Sequence, residues 1–363
     1  MSNKIIFVYN QINTEERRGI YGECTLVKEV DLIRKALLAT DNVIFSLDLF
    51  TPEQLESFIE ANLPIDSAFI IAEGFKAQPQ TLYNGNGAAL VRKTMAKYNI
   101  PCSHSGFQGM EICRHKDLTY ARLRENGVLV PEYLIFDTHF LQNIKSLQDE
   151  AEKIGYPLII KPNGGGNSIG ISRKSVVKNF TELKEQAALV DGQLGHGNLI
   201  MERYLPGQEY TLGIIGNVQK FILPVIGFPH NFGVRDSNSK KIEHQLRDNF
   251  EMITTGDERF DILMEIGAKT FDAVSAHDII RIDLKEDPEG NIYVIDVNGT
   301  PALSQTGSLN FMACHAGMTH AQLIQLVLYE SLLRNGITSN ASFVDAVLEV
   351  RSLLTEYLTT EVA

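Results

Sequence analysis

No apolar run in this chain approaches the ~18 residues that a membrane-spanning helix needs, so a membrane is not expected among its partners. The apolar stretch Ile5 to Tyr9 is too short for a secretory leader and reads as a first buried strand. Basic residues are outnumbered, 33 against 45 acidic ones, for a net charge of -12. That balance disfavours nucleic acid and anionic lipid as general partners, and an anionic ligand then needs a local basic site. Cysteine is sparse: Cys24, Cys102, Cys113 and Cys314 show neither metal-ligand nor redox spacing. They read as reduced, buried thiols, and the expected location is the cytoplasm.

What the chain does have is length: 363 residues, 44% hydrophobic and 21% charged, enough for two or three globular domains. Over the first hundred residues, strand patterns at 5–9, 43–47 and 68–72 alternate with helical ones at 25–39, 52–61 and 87–98. The alternation predicts an α/β unit, a parallel sheet wrapped by helices. Ligands of such sheets sit beyond the carboxyl ends of the strands, where residues 10–21 and Glu73-Gly74 fall. Ile100-Pro101 closes this unit. A helix then opens at Lys116 and stops at Gly127, and a later buried strand ends on Lys161-Pro162.

The most informative stretch is 279–298, two apolar strands about the polar turn Asp287-Pro288-Glu289-Gly290-Asn291. Pairing Asp287 with Ile292 sets Asp283 opposite Asp296 and Arg281 opposite Asn298, on one face that also carries Ile292 and Val294. Facing carboxylates repel unless a cation lies between them. Mg²⁺ suits such oxygen donors; a surface hairpin with a charged outer face is the competing reading. Upstream, Lys161 precedes Asn163-Gly164-Gly165-Gly166-Asn167-Ser168-Ile169-Gly170. Backbone N–H groups of such a run can cradle phosphate, Ser168 adding a hydroxyl and Lys161 a charge, although a simple hairpin turn has the same composition. The run matches neither the Walker pattern nor G-x-G-x-x-G. Glu202 and Glu209 flank a Pro-Gly turn, as acceptors for amines and hydroxyls or as solvated surface charges.

Taken in order, Lys161-Pro162 with its glycine run, Glu202 to Glu209, Arg281-x-Asp283, Asp296-x-Asn298 and Thr300-Pro301 resemble the ATP-grasp superfamily in its D-alanine-D-alanine ligase branch. The resemblance runs from about Ser103 to Gln325, and more loosely over the N-terminal third. It implies an ATP-grasp fold, α/β with an α+β ATP-binding part: an N-terminal α/β domain at 1–103, a central lid-like part at 104–197 and a C-terminal part at 198–363. It also implies an ATP-dependent carboxylate-amine ligase working through an acyl phosphate with two Mg²⁺, Mn²⁺ being a substitute. Carried over residue by residue, Lys116 and Lys161 bind phosphate with Gly164, Gly165, Gly166 and Ser168. Glu202 meets the adenine amino group, Arg203, Tyr204 and Leu205 line the adenine slot, and Glu209 takes the ribose hydroxyls. Asp283, Asp296 and Asn298 hold the metal, Arg281 and the N–H of Ala302 face the oxyanion, and Ser308 binds the second substrate's carboxylate.

The substrate end departs from the family pattern. Residues 10–18 stand in place of a Gly-Gly turn and of the glutamate that grips the first amino group, and Glu23 is one equivalent of that glutamate among others. Glu73 replaces a histidine, the loop over the site has become Phe228 to Arg235, and Ala302 replaces a glycine. Glu23, Glu73, Arg235 and Ser308 are therefore the expected substrate contacts, Glu73 favouring a cationic group unless Arg235 neutralises it. The expected substrates are a small carboxylate and an amine, amino-acid-like but other than a pair of D-alanines. Transfer to a non-amine nucleophile and a non-catalytic nucleotide-binding role are the alternatives. Finally, Phe343, Val347, Val350, Leu354 and Leu358 form one apolar helical stripe, with Ser342 and Asp345 as its capping pair. It packs on its own C-terminal domain or joins two subunits of a homodimer.

Overall fold

The computed structural model describes residues 2–137, 144–166, 168–195, 197–229, 250–254 and 256–360. Asn167, Arg235 and the rest of the loop after Pro229 lie outside these described residues.

The N-terminal alternation folds as expected. Its elements are β1 (Lys4–Tyr9), β2 (Gln11–Ile12), β3 (Thr25–Leu26), α1 (Val27–Leu38), β4 (Val43–Asp48), α2 (Pro52–Asn62), β5 (Ser67–Ile70), α3 (Gln80–Tyr83) and α4 (Gly87–Lys97). β1 lies between β4 and β5, parallel to both. Its side chains divide by parity: Ile5, Phe7 and Tyr9 enter one core with Val30 and Ile33, while Ile6 and Val8 enter another with Leu55, Ile59 and Val91. Two covered faces explain why this strand reads as one continuous apolar run. α2 starts where Thr51 accepts the N–H of Gln54 and Pro52 takes the first helical position.

Next come α5 (Phe107–Arg114) and α6 (Lys116–Glu125), separated only by the extended residue His115. The sequence marks the second helix and not the first, because Ser105-Gly106 reads only as the beginning of a new unit. β6 (Tyr133–Asp137), α7 (Ile144–Ile154), β7 (Leu158–Pro162), β8 (Val176–Val177), α8 (Phe180–Leu194) and β9 (Asn198–Arg203) follow. Their strands form an antiparallel sheet in the order β6-β9-β7-β8, closed by α7 and α8 over Leu158, Ile160 and Met201.

The third sheet takes β10 (Glu209–Gly216), β11 (Lys220–Ile222), β12 (Val225–Phe228), β13 (Glu251–Ile253), β14 (Asp278–Glu286) and β15 (Ile292–Asn298), in the order β13-β12-β10-β14-β15 with β11 on β10. The Pro206-Gly207 turn therefore does not close a hairpin: β9 belongs to the four-stranded sheet, β10 to the six-stranded one, and 204–208 crosses between them. α9 (Phe260–Ala273) and α6 share a core with Leu212, Ile214, Ile280 and Ile282. On the other face α10 (Ser308–His315) and α11 (His320–Arg334) pack with Ile215 and Ile279.

β14 and β15 do hold Asp283 opposite Asp296 and Arg281 opposite Asn298, but by another route than the expected one. Glu286, not Asp287, opposes Ile292. Asp287 instead turns its Oδ1 inward to accept the N–H groups of Glu289 and Asn291, at 3.0 and 2.9 Å, around Gly290 at φ +83°. A bulge leaving Ile295 unpaired cancels this one-residue offset. Ile292 and Val294, expected on the acidic face, consequently join Leu284 in the core.

The C-terminal helix α12 (Ala341–Thr360) is capped by Asn340, not Ser342: Asn340 Oδ1 accepts the N–H of Phe343 at 2.9 Å. Phe343, Val347, Val350 and Leu354 are all buried in the core that α11 and β1 share, so this stripe packs within its own chain. The Leu358 side chain lies outside the described residues. Among them no helix is long and apolar enough to cross a membrane. Of the four cysteines expected to be buried, Cys24 and Cys113 are, whereas Cys102 is half-buried and Cys314, near the end of α10, is exposed. Leu354→Ala should therefore cost about 2–5 kcal/mol of stability in urea titrations and leave size-exclusion elution unchanged. A change of elution volume without loss of stability would assign the stripe to a subunit contact.

Candidate active site

One pocket takes its walls from both larger sheets. Ile159 and Lys161 on β7 and Glu202 and Arg203 on β9 face Glu209 on β10 and Asp283 and Lys285 on β14. Gly164, Gly165, Gly166 and Ser168 line it from the glycine run, Tyr204 and Leu205 from the crossing segment, and Lys116 and Asp296 from α6 and β15. Pro131, Ile169, Ile171 and Ile295 add apolar surface of the kind a planar ring packs on. The sequence reading missed those four, Ile159 and Lys285 as lining, since isolated apolar residues carry no signal until the fold groups them. Among the described residues Arg281, Asn298, Ala302, Ser308, Glu23 and Glu73 are not part of this lining. Ala302 lies exposed, and Ser308 opens α10 behind Gly307.

The charges inside the pocket are paired with one another. Lys161 Nζ lies 2.7 Å from Glu202 Oε2, with Lys161 7% and Glu202 1% exposed. The buried hydroxyl of Tyr120, absent from the sequence reading, stands 3.0 Å from Glu202 Oε1 and 2.9 Å from the carbonyl of Ile295. Burial and the Glu202 charge push its pKa well up, so it stays a neutral donor. Lys285 Nζ sits 3.3 Å from Glu209 Oε2. Arg281 grips Asp283 with two N–H bonds, at 3.1 Å to Oδ1 and 2.9 Å to Oδ2, and Thr211 donates its hydroxyl to the same Oδ1 at 2.7 Å. Lys116 Nζ stands 3.6 Å from Asp296 Oδ1. Arg203 Nη2 lies 3.7 Å from Asp287 Oδ2, so this lining residue too stands beside a carboxylate. Asp283, Asp296 and the amide oxygen of Asn298 are hard oxygen donors, a set that fits Mg²⁺ or Mn²⁺. No group of three His, Cys, Asp or Glu gathers among the described residues, so the two facing carboxylates have no third such donor beside them there.

The glycine run is held in place by packing as much as by any ligand requirement. A Cβ on Gly164 would stand 2.0 Å from the carbonyl oxygen of Asn84, and one on Gly165, at φ +80°, would stand 2.2 Å from that of Tyr83. The start of the run is fastened to the α5–α6 junction. Lys116 N–H donates to Asn163 O at 3.0 Å, Asp117 N–H to Asn163 Oδ1 at 3.0 Å, and Gly165 N–H to Arg114 O at 3.2 Å. Asn163 Nδ2 returns a bond to Asp117 Oδ1 at 2.8 Å.

Glu73 corrects an expectation. It does not stand as a lone charge; its Oε2 lies 3.3 Å from Arg114 Nη2, which also donates to Glu23 Oε1 at 3.1 Å. The neutralising arginine is thus Arg114, a residue the sequence reading did not single out. Burial holds the Glu73 carboxyl up at about 7, Arg114 working against that rise, Glu23 adding to it and Arg92 opposing it. Burial alone disfavours the Arg114 charge, yet Glu73 and Glu23 outweigh it and raise its pKa.

Comparison with known proteins places this geometry. The family described as D-ala D-ala ligase C-terminus matches residues 123–329. The D-alanine--D-alanine ligase A of Bacillus cereus is 26% identical over 250 residues, 67% of this chain and 75% of that protein. A D-alanine--D-alanine ligase of Bacillus anthracis is 25% identical over 316 residues, 86% of this chain and 96% of its own. The fold is that of the D-alanine--D-alanine ligase from Bacillus anthracis complexed with ATP, at TM-score 0.67 and 20% identity over 92% of this chain and 99% of the other. The VanG D-Ala:D-Ser ligase from Enterococcus faecalis superposes at TM-score 0.66 and 15% identity, over 91% and 100%.

The raised pKa of Glu73 has a measurable sign. Because the folded value, about 7, lies above the ordinary 4.5, the folded protein holds this proton more tightly, and stability falls as pH rises from about 4.5 to about 7. Glu73→Gln removes that contribution. The melting temperature of the variant minus that of wild type should therefore climb between about pH 5 and about pH 8; a constant difference would mean that Glu73 does not titrate in this range.

Proposed function

The chain belongs to the D-alanine-D-alanine ligase-like branch of the ATP-grasp enzymes, ATP-dependent carbon-nitrogen ligases, and we propose that its own reaction joins a small amino-acid-like carboxylate to an amine through an acyl phosphate. One observation supports this above the others. Lys116, Lys161, the glycine run, Glu202 to Glu209 and the facing Asp283 and Asp296 are far apart in the chain, yet they line a common pocket. In this reading the pocket lies where a central part meets a C-terminal part, the expected boundary at 197/198 moving to the crossing segment 204–208 because β9 belongs to the four-stranded sheet, and the N-terminal domain 1–103 brings the acid through Glu23 and Glu73.

The acid's carboxylate attacks the γ-phosphorus of ATP and ADP leaves. Lys116 and Lys161 neutralise charge on the transferring group, which is most of what phosphoryl transfer asks of a protein. Asp283, Asp296 and Asn298 would hold Mg²⁺, whose chemistry is to neutralise further phosphate charge. As nucleotide enters, Lys161 exchanges Glu202 for phosphate, and Glu202 exchanges Lys161 for the adenine amino group. Neither buried charge is then left alone. Glu209, sharing Lys285, accepts from the ribose hydroxyls. The amine next attacks the carbonyl carbon of the acyl phosphate, phosphate departs, and the nitrogen loses a proton. Arg281 and the N–H of Ala302 face the oxygen on which negative charge develops. Ser308 donates to the carboxylate of the amine substrate.

A screen of ADP release over pairs of amino acids, with mass detection of the product, tests the reading directly. Absence of any amino-acid-dependent ADP release would sink it, and D-alanyl-D-alanine as the best product would sink the altered specificity alone. Asp296→Asn should abolish turnover with little loss of stability, since it removes a metal ligand while relieving a like-charge contact; full activity at saturating Mg²⁺ would refute the metal assignment. Lys161→Ala should weaken ATP binding by about 2–5 kcal/mol in calorimetry. Unchanged ATP affinity in that variant would remove the phosphate role from Lys161.

A further inference from the structure

Beneath the glycine run lies a cluster that the ATP chemistry does not use. Arg114 is bracketed by Glu23 at 3.1 Å and Glu73 at 3.3 Å, and the three side chains are 3%, 9% and 6% exposed. Two buried atoms in it have no hydrogen-bond partner: Glu73 Oε2, an acceptor, and Arg114 Nε, a donor. Buried polar groups are almost always satisfied, and an exception calls for a cause, a missing ligand or ion being one. The cluster also touches the pocket wall. A Cβ on Gly166 would stand 2.8 Å from Glu23 Oε1 and 3.2 Å from Arg114 Nη1, and two residues beyond Arg114, Lys116 reaches Asp296.

Counting charges gives the cluster a meaning. Two carboxylates and one guanidinium leave a net charge of minus one. Arg92 keeps its charge but donates to the carbonyls of Ala88, Ser105 and Ile70 and to the Thr300 hydroxyl rather than to either glutamate, and of the named influences on Glu73 its own is the smallest, so it stands outside the contact cluster. A single ammonium group donating to Glu73 Oε2 would neutralise the cluster, whereas two would over-neutralise it. Building on the ligase reading above, we propose that Arg114 is a specificity-determining residue of the acid-substrate site, setting its charge so that the preferred acid carries one ammonium group and no second cation. Without Arg114 the same two glutamates would select a dicationic amino acid.

The test compares alanine with ornithine, each in both hands, as the acid substrate of wild type, Glu73→Gln, Arg114→Met and the double variant Arg114→Met/Glu73→Gln. Their cluster charges are minus one, zero, minus two and minus one. Glu73→Gln should lower kcat/KM for alanine about tenfold, Arg114→Met should shift the ornithine-to-alanine ratio about tenfold toward ornithine, and the double variant should restore the wild-type ratio. The wild-type KM for alanine should rise as pH falls through about 7, where Glu73 gains its proton, and the double variant should lose that dependence. If Arg114→Met fails to fold, the single Glu73→Gln and the double variant still carry the comparison. An unchanged ratio in folded variants, or a loss confined to nucleotide affinity in calorimetry, overturns the proposal and leaves Arg114 as a support for the glycine run. Wild-type protein that releases no ADP with any amino acid sinks the ligase reading itself, and this proposal with it.

Discussion

Two carboxylates held face to face across one hairpin set the terms for their surroundings. Asp283 and Asp296 occupy a directly opposed pair on β14 and β15, where like charges repel. The fold answers with cations and donors from three directions: Arg281 from the same strand, the Thr211 hydroxyl from β10, and Lys116 from the first turn of α6. That last contact constrains more than the hairpin. To bring Lys116 to Asp296, α6 must begin at that point, and Asn163 fastens its first turn to the end of β7. The position of the glycine run therefore follows from the position of the carboxylates.

The same logic of exchange runs through the whole pocket. Every lysine in its lining stands beside a glutamate or aspartate: Lys161 with Glu202, Lys285 with Glu209, Lys116 with Asp296. Breaking a buried pair by removing one partner leaves an uncompensated charge, whereas swapping partners does not. A polyanionic nucleotide with a hydrogen-bonding base is suited to such a swap, because it brings acceptors for the lysines and donors for the glutamates together. Tyr120, held neutral between Glu202 and the bulged carbonyl of Ile295, ties that pairing to the hairpin that carries the two facing carboxylates.

Much of this was legible along the chain, in the places where the deciding interactions are local. The strand-helix alternation of the first hundred residues, the polar turn at 287–291 and the glycines after Lys161 each act within a few residues of themselves. Their chemistry survives in the order of letters. The resemblance to ATP-grasp ligases adds the separations between these pieces, and the family match over 123–329 agrees with it. The opposed pair Asp283 and Asp296 was also placed correctly, although the count that led to it missed both the Glu286–Ile292 pairing and the bulge that compensates it.

What the sequence determined by itself was the identity of the reacting groups and the strands and turns that carry them, since period and turn chemistry are short-range. Only the tertiary structure decided which of those groups meet. The separation of β9 and β10 into different sheets depends on partners far outside the turn between them. The face taken by Ile292 and Val294 depends on one unpaired residue in the opposing register. The charge on Glu73 depends on Arg114, 41 positions away, and on Glu23, 91 positions before Arg114, counted from their numbers in the chain. Electrostatic neutralisation inside a core is a property of distance in space, and nothing in a linear order of residues fixes that distance until the sheets have packed.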